Sequence, residues 1–242
     1  MVSTIVKPSD YNLGSLTFAS VDSNKQKPTQ TILLPNYDGG RSPMIQLPAI
    51  DLDMYGIPSK CDLYEEDYQR MFLKLPLNQS SPEVKEFTDG FLNKFDEKLA
   101  SSEFKDTVFS SKKVKYTYQP IVRTVAEEET GNKHPHMKIK LLTEYPTNLI
   151  RTVVVEQNDA FSRFLKTDTQ TLSDIEKYFR LRTNVRCVIA PIKLWVHQIN
   201  ATEANYGITF KLTKALVKVP PERSVKQIYD EHDVEFLNSD SD

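Results

Sequence analysis

The chain has 242 residues with 31 Lys or Arg against 33 Asp or Glu, a formal charge of −2. That length fits one large domain or two small ones, and 39% hydrophobic with 26% charged residues is ordinary globular composition. Seven glycines leave little material for a glycine-rich nucleotide-binding architecture. No run of 18 apolar residues predicts a transmembrane helix, and the first eight residues, Met1 to Pro8, do not read as a secretory leader. Cys61 and Cys187 stand 126 positions apart, which favours a reducing compartment over a disulfide framework. The sequons at Asn78 and Asn200 are then expected to be chance matches.

The total charge conceals a segregation. Residues 1–104 carry 10 basic and 15 acidic side chains, net −5. Residues 105–218 carry 19 and 11, net +8, and residues 219–242 carry 2 and 7, net −5. From Asp230 onward there are six carboxylates and no Lys or Arg, the composition of an acidic tail that has little to bury. Such a tail either keeps the chain soluble or competes with a polyanion for the basic body.

In chain order, Tyr11 to Phe18 reads as an opening strand, and residues 35–60, with four prolines and three glycines, as extended segments broken by turns. Met71 to Leu75 reads as a strand closed by Pro76. Residues 82–100 read as a helix, with Ser80 or Ser81 as cap and Pro82 in the first turn. Its Phe87, Phe91, Phe95 and Leu99 form one apolar stripe, read as core. Beyond 112 the pattern becomes β. Val114 to Val125 is a strand that Pro120 bends or interrupts, 127–132 an exposed turn, 137–142 a half-buried strand and 151–156 another. A helix is expected at about 171–181, capped by Ser173 with Glu176 or Thr171 with Asp174. Two long strands, 185–199 and 206–219, then form a hairpin.

From 112 to 219 the order strand, strand, strand, helix, strand, strand is that of an OB-fold, a five-stranded barrel. The expected organisation is an N-terminal α+β elaboration (1–104) packed on the barrel, an OB core (105–219), and a disordered acidic tail (220–242).

The chain holds no P-loop, nucleophile elbow or GxGxxG. His134-Pro135-His136 reads as a solvated turn without the ligand spacing of a metal site, and Asp51-x-Asp53 as turn chemistry. No enzyme, cofactor or metal is expected. The stronger constellation interleaves cations with rings. Lys112, Lys113 and Lys115 precede Tyr116 and Tyr118; Arg123, Lys138 and Lys140 lie on the next strands. Arg180, Arg182 and Arg186 border a helix-to-strand junction, and Lys193, Trp195 and Lys211 lie on the last hairpin. Cations neutralise phosphates and flat rings stack on unpaired bases, which is what single-stranded nucleic acid requires. Strand parity puts Lys193, Trp195 and His197 on one face, with Ile192, Leu194 and Val196 on the other. It also sends Tyr206 and Phe210 to the interior. Trp195 is the best single stacking candidate, with a buried anchor as the alternative reading.

Pro191-Ile-Lys-Leu-Trp-Val196, a short turn, and Tyr206-Gly-Ile-Thr-Phe-Lys-Leu212 resemble the C-terminal core of the single-stranded DNA-binding proteins of large nucleocytoplasmic DNA viruses, a family similar to the phage T7-type OB-fold binding protein. The preceding helix, Leu172 to Phe179, and the acidic ending fit the same layout. The match covers about residues 170–219, with weaker support from 110. Phage-type tails end in an aromatic residue, whereas here six residues follow Phe236. The resemblance implies coating of exposed single strands in viral DNA replication, recombination or repair, inside the host nucleus or at a cytoplasmic replication site. It also implies a tail (Asp230, Glu231, Asp233, Glu235, Phe236, Asp240, Asp242) that competes with DNA and recruits a polymerase or helicase. A homodimer is a further candidate, and no membrane partner is expected. The alternative is a non-enzymatic virion structural or assembly protein that uses a β-barrel core for protein contacts.

Overall fold

The computed structural model describes residues 4–20, 30–77, 80–109, 113–126, 133–157, 162–164 and 171–220. In chain order the strands before the first helix are β1 (Ile5–Val6), β2 (Leu16–Phe18), β3 (Gln30–Leu33), β4 (Pro35–Tyr37), β5 (Met44–Asp51) and β6 (Phe72–Pro76). Helices α1 (Pro82–Phe87), α2 (Asn93–Ala100) and α3 (Ser102–Val108) follow. Then come β7 (Lys115–Tyr118), β8 (Val122–Ala126), β9 (Lys133–Leu141), β10 (Val153–Gln157), β11 (Ser162–Phe164), α4 (Leu172–Glu176), β12 (Asn184–Gln198) and β13 (Glu203–Lys218).

The hairpin β12–β13 is the spine. The free edge of β13 pairs parallel with β7, β9 and β10 in turn, while the other edge of β12 pairs antiparallel with β3 and β5. Strand β9 also pairs with β6 and β8. The result is one large mixed sheet, mainly β as expected. It does not close: the path runs β1-β5-β12-β13-β10-β11, and its two ends do not meet among the described residues. A five-stranded OB barrel is therefore not what the pairing draws. Strands β3, β5 and β6, from the first hundred residues, are hydrogen-bonded into the same sheet as the later ones.

Residues 82–100 are helical as expected. Ser81 accepts a hydrogen bond from the Val84 amide and Pro82 occupies the first turn. Between α1 and α2 the chain makes a π turn at Thr88–Leu92. Residues four apart drift by about 40° per step on an α-helix. The wider turn resets that drift, so Phe87, Phe91, Phe95 and Leu99 stay on one buried stripe. That stripe covers the inner face of the sheet. Phe95 meets Phe210 at 5.6 Å, Phe104 stacks near Tyr206 at 6.3 Å, and the buried Tyr206 hydroxyl donates to the Leu99 carbonyl at 2.6 Å. Tyr206 and Phe210 are core, as their parity predicts.

Several local expectations are corrected, and two that were left open, Pro120 and the Thr171 cap, are resolved. The opening strand shortens to β2, because Leu13–Ser15 forms a 3-10 turn capped by Asn12. Pro120 splits the first basic strand into β7 and β8, since proline has no N–H for the ladder. The helix expected at 171–181 is α4 alone, followed by a 3-10 turn at Lys177–Phe179. Its cap is Thr171, whose amide is held by Asp174 at 2.7 Å, and not Ser173. His134 and His136 lie on β9 and not in a solvated turn. His136 is buried with its ring 4.8 Å from Tyr55. The turn expected at 127–132 lies outside the described residues.

Candidate nucleic-acid interface

Opposite the helices the sheet presents an outer face, and strand register decides which side chains share it. Lys74 of β6 stands opposite Lys138 of β9, and Phe72 opposite Lys140. Arg123 of β8 stands opposite His136. Strand β13 sets Lys211 beside Lys140, and across the hairpin Lys193 faces Thr209, two residues from Lys211. Partners in register project from the same face, as do residues two apart on a strand. Lys74, Arg123, Lys138, Lys140, Lys193 and Lys211 thus form one cationic surface. Among the described residues none of the six makes an ion pair with a carboxylate.

The electrostatics record that crowding. Desolvation, then Arg123, Lys140 and Lys74, push the Lys138 ammonium down to about 8. Lys140 is lowered by desolvation and by Lys193, and Lys211 by desolvation, Lys193 and Lys140. His136 is lowered by desolvation first, with Lys74 and Arg123 adding to it. Like charges held together without a counter-charge disfavour their own charged forms. A polyanion laid across them removes that penalty.

Rings lie within and beside the cations. The Lys138 ammonium sits 3.6 Å from the centroid of Phe72, and that of Lys74 sits 5.8 Å from Tyr55. The Tyr55 loop packs closely on Phe179 because Gly56 has no side chain, where a Cβ would stand 2.4 Å from the Phe179 carbonyl oxygen. Trp195 is half-buried on the outer face. Its indole rests on Gly207, its partner in register, where a Cβ would come within 2.7 Å of the ring. A register bulge after Pro191 makes Ile192 the extra residue, which takes it out of the inner row that parity gave it, and leaves Lys193 and Trp195 facing out, with Leu194 and Val196 facing in.

Of the sequence-derived candidates, the fold brings together Arg123, Lys138, Lys140, Lys193, Trp195 and Lys211. Lys115 is exposed near the hairpin tip, in register with Glu203, and Lys113 is exposed in the turn before it. Tyr116 and Tyr118 do not join this surface. Tyr116 stacks on Phe109 at 4.0 Å, and Tyr118 packs on Tyr206 and donates to Asp96 at 2.7 Å. Arg180, Arg182 and Arg186 lie toward the other end of β12. Arg180 donates to the Pro220 carbonyl, Arg182 adopts φ 67° with its amide on Leu52, and Arg186 is exposed opposite Ala49. Arg186 and Trp195 are roughly 30 Å apart along the strand. Lys112 and the tail residues Asp230, Glu231, Asp233, Glu235, Phe236, Asp240 and Asp242 lie outside the described residues. Lys74 is the member that sequence reasoning missed. Its signal was a lone cation in an apolar strand, and only pairing with β9 tells which face it joins.

Among the described residues no three His, Cys, Asp or Glu come together as a metal site, and no helix is long and apolar enough to cross a membrane. No family model and no curated protein sequence matches the chain. Its structure is similar to the crystal structure of gp2.5, a single-stranded DNA-binding protein encoded by bacteriophage T7. The TM-score is 0.37 at 12% identity, over 82% of this chain and 98% of that one.

Proposed function

We propose that the chain is a non-catalytic single-stranded DNA-binding protein that coats exposed strands in viral DNA replication, recombination or repair. The observation that supports this is six cations on one sheet face that make no ion pair with a carboxylate among the described residues, beside a half-buried tryptophan. A single strand follows such a surface because its backbone is flexible and its bases are free to meet a ring. A duplex is stiff and keeps its bases stacked. On this reading the open sheet is an OB-type core extended by strands from the first hundred residues, and the chain works inside the infected cell. Its acidic tail competes for the cations and recruits a polymerase or helicase.

The chain has one tryptophan, so fluorescence reports on this face directly. Titration with oligo(dT) and with duplex of equal length, at about 50 and 200 mM salt, tests the reading. Four to six phosphate contacts give a log–log salt slope of about −3 to −4 for a single strand. Quenching with oligo(dT), a slope of that size and weak duplex binding are expected. Equally weak binding of both, insensitive to salt, sinks the proposal and favours an assembly protein.

A further inference from the structure

Across β12 from Trp195, in direct register, stands Ile32 of β3. The pair shares the outer face. Ile32 is 50% exposed, and Leu34, two residues further along, is 73% exposed. Large aliphatic side chains left this open on a sheet face forgo the stabilisation that burial would bring. The residue between them, Leu33, packs on the core, which separates the strand's two sides. The cations are distributed differently. Lys74, Lys138 and Lys140 lie across β6 and β9, Lys211 on the neighbouring β13, and Lys193 near the tryptophan on β12. One surface therefore has a charged side and an apolar end, and Lys193 is where they meet.

We infer that Ile32 and Leu34 complete a base platform with Trp195, so that a bound strand lays its phosphates over the lysines and turns its bases onto β3. This rests on the reading above and deepens it by assigning contacts on β3, and at Leu34 just beyond it, to unpaired nucleobases. A nucleobase is a flat, apolar-faced group attached to a charged backbone, and this juxtaposition matches both parts. Gly207 sets the level of the platform. Because it has no Cβ, the indole lies down on β13, and on its other side the neighbour in register is Ile32.

The full chain is titrated with oligo(dT) and with an abasic oligomer of the same length, which keeps the phosphates and lacks the bases. Wild type is expected to prefer oligo(dT) by at least about tenfold, the equivalent of one stacked base. Ile32→Ala and Leu34→Ala each lower affinity for oligo(dT) by about fivefold, as expected for lost apolar contact. They leave abasic binding and the salt slope unchanged. Lys211→Ala does the opposite: it weakens both oligomers alike and makes the slope shallower. A wild type that binds both oligomers equally, or Ile32 and Leu34 variants that keep the full preference, overturns the platform while leaving DNA binding standing. A chain that binds neither oligomer overturns the functional reading itself.

Discussion

Replacing Lys138 by Met should make the protein more stable and a poorer DNA binder. Met keeps an unbranched side chain over the Phe72 ring and can make a sulfur–aromatic contact there. It removes the charge that Arg123, Lys140 and Lys74 oppose. The ammonium is held at about 8 against an ordinary 10.5. Unscreened, that difference would be worth about 3 kcal/mol. The side chain is partly solvated, so screening reduces this to about 1 kcal/mol. For a chain of this length the corresponding rise in Tm is about 2–4 °C. The sign is set by linkage. A lysine whose pKa is lower in the folded state binds fewer protons there than when unfolded. Its cost is complete below about pH 8 and disappears as pH rises to 10.5. The stability gap between Lys138→Met and wild type should therefore be widest near pH 7 and close toward pH 10.5, in urea unfolding followed by fluorescence. One lost phosphate contact flattens the single-strand salt slope by about 0.7, equivalent to about fivefold in affinity at 0.1 M salt. A variant that is destabilised at pH 7, or one that keeps the wild-type slope, refutes the idea that Lys138 is an unneutralised member of a phosphate-binding cluster.

Three more outcomes follow from the same structure. DNA binding should restore the Lys138 charge, so calorimetry in buffers of different ionisation enthalpy near pH 8 should show proton uptake; no uptake would place the strand elsewhere. Gly207→Ala puts a methyl within 2.7 Å of the Trp195 ring and 3.2 Å of the Gln119 carbonyl oxygen. Such overpacking costs about 1–3 kcal/mol, and a red-shifted emission with weaker oligo(dT) binding is expected. Asp96→Ala removes the acceptor for the Tyr118 hydroxyl and for the Ile121 and Val122 amides. It should cost about 3 kcal/mol in chemical denaturation and leave the salt slope of the remaining folded protein unchanged.

What the sequence determined by itself was local. The i, i+4 phenylalanine stripe, Pro82 and the serines before it defined the long helix. Alternation in Leu194-Trp195-Val196 separated an inner from an outer face, and the two long β runs joined by a short connector defined the hairpin. These rest on periodicity and capping, which neighbouring residues settle among themselves. Segregated charge likewise pointed to the basic body. What only the tertiary structure decided was which strands meet. A lysine in Phe72-Leu73-Lys74 carries no label for its partner, and Tyr116 and Tyr118 look as available as Trp195 until Phe109, Tyr206 and Asp96 claim them. Ile32 and Lys74, far apart in sequence from the hairpin and from each other, reach one face through pairing with β12 and β9. The same long-range pairing drew β5 and β6 into an open sheet where local order had suggested a closed five-stranded barrel. Register between distant strands is set by the hydrogen-bond ladder and by the burial of one face against the helices. Neither is encoded in any short stretch of the chain.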